Sequence, residues 1–283
     1  MRVWDRKKLT ELPEVGGGAI AFAYGTAVGR FLTKTILCRR WVSQLYGAWQ
    51  RSSLSRGKVR RFIRAYGIDV SDCTQQEFAN FNAFFTRKRK DYVNQTAEDE
   101  LPAIADSKLL ALDVDERSRF YVKGVPYTMA ELLEDEALAW TFSRCLIFRL
   151  SPEDYHRYVY PDEGRQEQAV HIAGVLHSVN PIGASMGVYR RNTRRWTLLH
   201  TAHFGTVVQM EVGALLVGRI ENHCEAPKSF EKLEEKGFFS YGGSTVILLM
   251  QKDAVRIDED ILRYSAQGIE TRVKLGERIG KRP

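Results

Sequence analysis

The stretch "TVVQMEVGALLVGRI", residues 206–220, decides the fold class. Val208, Met210 and Val212 alternate with Gln209 and Glu211, the two-residue period of a strand that turns one face to a core. Gly213-Ala214 interrupts the run, and a second apolar run follows. The same texture extends outward. "CLIFRLSP" (145–152) and "STVILLMQKD" (244–253) are strand-like, and "SRFYVKGVPYT" (118–128) reads as strand, turn, strand. "AELLEDEALAWTF" (130–142) reads as a short acidic helix. Residues 96–283 are therefore expected to form a β-rich, mainly antiparallel core.

Residues 1–95 differ in character. From Val15 to Ile68 there is no Asp or Glu, against ten Lys and Arg. Trp41, Leu45 and Trp49 recur at i, i+4, i+8, which places them on one face of a helix. Several short amphipathic helices are expected here. Three uses fit such helices: docking on an anionic bilayer surface, contact with nucleic acid, or packing on their own core with a solvated basic face. In "SDCTQQEFANFNAFFTRKRK" (71–90) a helix-start signal stands at Ser71 or Asp72. Phe78, Phe81, Phe84 and Phe85 form a stripe expected to face the core, and the basic run Arg87–Lys90 follows it. The expected class is α+β, with N-terminal amphipathic helices followed by an antiparallel core.

With 283 residues and 44% hydrophobic content, the chain can bury a large core. The net charge of +7 favours an anionic partner or surface. Four scattered cysteines without a CxxC pair point to reduced thiols. The HxxH of His200 and His203 is a weak metal signal, and no metal is expected. Nucleotide-binding glycine loops and HExxH are missing.

The groups that could do chemistry are few. His156, in "LSPEDYHRYVYPDEG", lies between a strand and a turn, where reactive residues are often displayed. Asp106, in "LPAIADSKLLALD", sits at a turn before a strand. In "FSYGGSTVILLM" (239–250), Gly242-Gly243 reads first as a turn. Glycines without side chains also let the backbone fold back, so that the Ser244 hydroxyl could attack the Gly243 carbonyl if a base takes its proton.

Taken together, these blocks resemble the phosphatidylserine decarboxylase family over nearly the whole chain. "GGST" (242–245) is similar to the family's LGST self-cleavage motif, with Gly242 in place of Leu. "DYHRYVYPDEG" resembles DYHR-x-H-x-P-x-x-G, "GVLHSVNP" resembles G-x-L-x-SVN, and "FGTVVQMEVGALLVGRIE" resembles the FG…VGA…VGSI block. "FNAFFTRKRK" and "IADS" are similar to FF-x-R and P-x-D-G.

The resemblance implies a zymogen that cuts itself between Gly243 and Ser244. The products would be a β chain of residues 1–243 and an α chain of residues 244–283. Residue 244 would become a covalent pyruvoyl cofactor that condenses with the amine of phosphatidylserine and draws off the electrons released with CO2. It implies Asp106, His156 and Ser244 as catalytic residues and phosphatidylethanolamine as product. It also implies a peripheral place on the cytoplasmic face of an anionic membrane, without nucleic acid; a homodimer is a further expectation. Residues 1–95 would be the membrane-facing segment. The alternatives are a pyruvoyl-dependent decarboxylase of a soluble amino acid, and an uncleaved protein that binds anionic lipid. The sequence departs from the family where its second histidine would stand, at Val159. Either His156 does both jobs, or another base substitutes, with His203, beside the FG block, as the candidate, or maturation is slow or absent. "NTRR" (192–195) stands where the family often has NERV, and Ser107 replaces Gly.

Overall fold

The computed structural model describes residues 2–13, 26, 29, 40–90, 96–122, 124–177, 187–214, 219–241 and 244–283. At the centre of the main sheet runs β16 (Ser244–Met250), all seven of whose residues are buried. Apolar side chains on both of its faces require cover on both faces. On one side lie β12 (Gly205–Val212), β11 (Arg194–Thr201), β9 (Gly164–Gln166) and β14 (Lys228–Phe230), with β10 (Val170–Ile172) also pairing β11. On the other side lie β7 (Arg144–Leu150), β4 (Ser107–Asp113), β18 (Glu270–Val273), β1 (Arg2–Asp5) and β2 (Thr10–Pro13). The β1–β18 pair is parallel; the other pairs are antiparallel, as expected.

A small sheet, β13 (Ile220–Asn222), β15 (Glu235–Phe239) and β8 (Arg157–Val159), covers one face of the main sheet. Polar contacts pin the two layers together. Lys236 Nζ lies 2.6 Å from Glu211 Oε1 with both side chains fully buried, and Gln209 Nε2 donates to Val159 O at 3.2 Å. A third sheet joins β17 (Arg256–Ile257), β19 (Arg278–Lys281) and β3 (Glu100–Pro102), and β5 (Arg119–Val122) with β6 (Val125–Thr128) forms the expected hairpin.

Helices α1 (Arg40–Arg51), α2 (Arg56–Tyr66) and α3 (Phe81–Phe85) build a second core. Phe78, Phe81, Phe84 and Phe85 are buried there with Val59, and Tyr241 packs against them. The aromatic stripe therefore faces a core, and that core rests on the segment leading into β16. Leu45 and Trp49 on α1 stay 63% and 38% exposed, and Leu54 80%. Trp41's side chain and most of residues 14–39 lie outside the described residues. The remaining helices are α4 (Met129–Leu133), α5 (Glu136–Ala139), α6 (Val188–Arg191) and α7 (Glu259–Ala266).

Three expectations need correction. Residues 2–13 are strands of the main sheet, so the division at residue 95 is not one of helices from strands. The helix expected from Ser71 or Asp72 starts at Asn80, whose side chain accepts from Ala83 N at 2.9 Å. The acidic helix at 130–142 is two pieces, because Glu134 takes a left-handed conformation between them (φ 52°).

Candidate active site

Ser244 opens β16 opposite Leu150 of β7. In the register with β12, Val246 faces Glu211 and Leu248 faces Gln209. Side chains alternate along a strand, so Ser244 shares the face of Glu211 and Gln209, the face that the small sheet covers. The Ser244 side chain is fully buried, and its hydroxyl has no hydrogen-bond partner among the described residues. Gly242 and Gly243 lie outside the described residues.

His156 enters the small sheet just ahead of β8, and its carbonyl accepts from Phe239 N at 2.9 Å. Phe85 joins the two segments: its ring centroid lies 3.8 Å from that of His156 and 5.0 Å from that of Tyr241. His156 Nδ1 lies 2.9 Å from the Asp154 carbonyl. A carbonyl only accepts, so Nδ1 carries the hydrogen and Nε2 keeps a lone pair. Nε2 is buried without a partner among the described residues. Burial pushes the imidazole down to about 3, against the opposing pull of Asp154, so it stays neutral.

The loop holding His156 is fixed by charge. Asp154 accepts from Lys108 Nζ at 2.6 Å and from Ser151 N at 2.8 Å. Asp106 is fully buried and accepts from Arg89 Nη2 at 2.9 Å, Lys274 Nζ at 2.8 Å and Leu275 N at 2.9 Å. Burial alone would raise its carboxyl; Lys274 and Arg89 outweigh that and hold it well below the usual range. Asp106 is thus an anchored anion and shares no hydrogen bond with His156. It acts on the loop through Arg89, which takes the Tyr155 hydroxyl on its backbone N–H at 3.1 Å and stacks its guanidinium 4.4 Å from the Tyr155 centroid.

Val159 is wholly buried, with its N–H donating to Ile104 O at 3.1 Å. Position 159 therefore lies against the loop that carries Asp106, and an apolar side chain fills it.

The structure does not bring His203 to Ser244. His203 sits in the β11–β12 turn, beyond Gly205, while Ser244 aligns with the other end of β12. The ends of the eight-residue strand are about 24 Å apart. His203 belongs to its own turn, where its backbone N donates to Asp162 at 2.8 Å and its Nδ1 lies 3.0 Å from the same carboxylate.

Arg89, Lys274 and Lys108 were missed in the sequence as parts of the site. The signal for Arg89 was the basic run directly after the buried Phe stripe; Lys274 lies 168 residues from its partner and gave none.

A family model described as phosphatidylserine decarboxylase matches residues 81–281. The chain belongs to the phosphatidylserine decarboxylase family. It is 40% identical to phosphatidylserine decarboxylase proenzyme 2 of Clostridium acetobutylicum, over 98% of this chain and 96% of that one. Phosphatidylserine decarboxylase proenzymes of Ruminiclostridium cellulolyticum and Desulfitobacterium hafniense are 37% and 36% identical, over 99% and 100% of this chain and 97% and 98% of theirs. These relatives are named as proenzymes, which is the vocabulary of a family whose members are made as precursors.

Proposed function

We propose that the chain is a self-processing decarboxylase of phosphatidylserine, with Ser244 as its internal nucleophile and His156 as its base. One observation carries this reading. The Ser244 hydroxyl and His156 Nε2 are a buried donor and a buried acceptor, both unpartnered among the described residues, on the two layers that Phe85 and Tyr241 bridge. Buried polar atoms are rarely left so, and a catalytic role is one reason for such an exception.

In the first step His156 Nε2 takes the hydroxyl proton as Oγ attacks the Gly243 carbonyl carbon. The carbonyl passes from the amide nitrogen to Oγ, and that nitrogen is protonated. Loss of the Ser244 α-proton then breaks the Cβ–Oγ bond. Residue 243 leaves as a carboxylate and residue 244 becomes dehydroalanine. Tautomerisation and hydrolysis release ammonia and leave a pyruvoyl group, with no oxidant consumed. That group supplies a ketone that condenses with the substrate amine and accepts the electron pair freed with CO2. His156, facing position 244 from the other layer, would return a proton to the carbon that lost CO2.

The two product chains would stay together. Residues 244–250 pair with strands on both sides, and β18 runs between β4 and β1. For the membrane, support comes from exposed Leu45, Trp49 and Leu54 beside exposed Arg51, Arg56, Arg60 and Arg61. Among the described residues no helix is long and apolar enough to cross a bilayer. This surface favours a lipid substrate over a soluble amino acid.

The test is intact mass followed by turnover. Fragments 1–243 and 244–283 should appear, with the smaller one reacting with hydroxylamine, and phosphatidylserine should yield phosphatidylethanolamine. Ser244→Ala should stay whole and inactive. Cleavage at 243/244 in that variant would overturn the assignment.

A further inference from the structure

A cleft of about 580 Å³ lies between α1 and the main sheet. Its lining includes Arg51, His171, Thr193, Arg195, Gly213 and Arg219. Strand register relates it to Ser244. Thr245 pairs with Val212, so Gly213 is the next position along, opposite Ser244. Arg195 pairs with Glu211 and with His171, which puts all three on the face of Ser244. Arg195 is two strands across and two residues along from Ser244, about 12 Å between Cα atoms on standard sheet spacings. That span is roughly one serine phosphodiester headgroup plus one arginine side chain.

The cleft is built for an anion. Three arginines line it against one carboxylate, Glu221, which lies 3.9 Å from Arg219. Arg51 has no ion-pair partner among the described residues. Arg195 uses Nη1 on Ile220 O and on Glu225, and its Nε is a buried donor without a partner among the described residues. From α1, Ser43 adds a hydroxyl that is also buried and, among the described residues, unpartnered, on a residue 2% exposed. Both departures within the NERV block, Thr193 for Glu and Arg195 for Val, fall on this cleft. One removes a negative charge and the other adds a positive one.

We infer that this cleft is the subsite for the phosphodiester of the substrate headgroup, bound by Arg195, Arg51, Arg219 and Ser43 while the serine end reaches position 244. The inference rests on the decarboxylase reading and assigns it a specificity site.

The experiment pairs Arg51→Gln/Arg219→Gln, both at exposed positions, with Arg195→Val. Self-cleavage, read by intact mass, should be unchanged. On phosphatidylserine in neutral mixed micelles, KM should rise about tenfold, the weight of a charged hydrogen bond, with kcat within about twofold. Inhibition by glycerophosphoserine should weaken equally, and inhibition by serine methyl ester, which lacks phosphate, should not change. Unchanged KM and glycerophosphoserine inhibition in both variants overturn the subsite. So does a loss confined to binding of phosphatidylglycerol vesicles, which would assign the arginines to neighbouring lipid. Direct calorimetry of glycerophosphoserine on uncleaved Ser244→Ala, with and without the arginine changes, separates the two claims. Binding that the arginine changes weaken supports the subsite even if the wild type releases no CO2. Absent or unaltered binding overturns it.

Discussion

Arg89 grips Asp106 with two guanidinium N–H donors, at 2.9 and 3.3 Å, and thereby ties the end of the aromatic helical segment to the loop before β4. Lys274 adds a third side-chain contact from the C-terminal region. Asp106→Asn removes the charge that both cations answer. A buried pair broken on one side costs about 3–5 kcal/mol; because Arg89 and Lys274 are 22% and 37% exposed, about 3 kcal/mol is expected. The folded carboxyl lies below its unfolded value, so its contribution is complete above about pH 4 and is lost as pH falls further. The gap in urea midpoint between wild type and Asp106→Asn should narrow from pH 7 to pH 3. A constant gap would refute this.

As the proposed base, His156 should set the pH behaviour of cleavage. Its imidazole is held at about 3, so it is neutral and able to accept a proton at any pH above about 5. The rate of self-cleavage should be flat between about pH 5 and 8, where an exposed histidine base would fail below about 6.5. His156→Gln should slow cleavage by at least about a hundredfold. Stability runs with the same sign. The unfolded imidazole takes a proton near 6.5, well before the folded one, so acidification below that value weakens the fold. A rate that halves near pH 6.5 would rule out this histidine in this environment.

Much of the scaffold was legible because its central strands carry their own signal. Residues 205–212, 144–150 and 244–250 are long apolar or alternating runs, and each is a neighbour in the main sheet. Residues 2–5 and 270–273 gave none. Each has four residues with charges among them, and they become strands by pairing with each other and with β2 and β4 across the fold. Within the site, Ser244, His156 and Asp106 were visible through the family blocks, as residues. Their relationships were not. That Asp106 faces two cations rather than an imidazole depends on residues 17 and 168 positions away.

The buried Lys236–Glu211 pair lies under the face that carries Ser244. Lys236→Met leaves the Glu211 carboxylate with Asn222 Nδ2 at 3.1 Å as its remaining donor, and should cost about 3–5 kcal/mol. Adding Glu211→Gln should recover much of that, because the stranded charge is gone. Unfolding of the uncleaved Ser244→Ala background measures this as a double-mutant cycle. Purely additive losses would mean that the pair is not coupled.

Membrane docking is testable apart from chemistry because Leu45 and Leu54 belong to neither buried core. Leu45, Trp49 and Leu54 are exposed, whereas Ser43, Gly47 and Gln50 form the buried side of α1. Trp49 is also covered by Lys58, whose Nζ lies 3.9 Å from a ring centroid, so Leu45 and Leu54 are the cleaner targets. Burying one leucine is worth about 1.5–3 kcal/mol, so Leu45→Glu/Leu54→Glu should weaken vesicle binding by well over tenfold. Thermal stability and self-cleavage should stay at wild-type values, since neither side chain enters the second core. Activity on phosphatidylserine vesicles should fall with binding, and activity on short-chain phosphatidylserine below its micellar concentration should not. Equal losses on both substrates would place these leucines in the substrate path instead of at the bilayer surface.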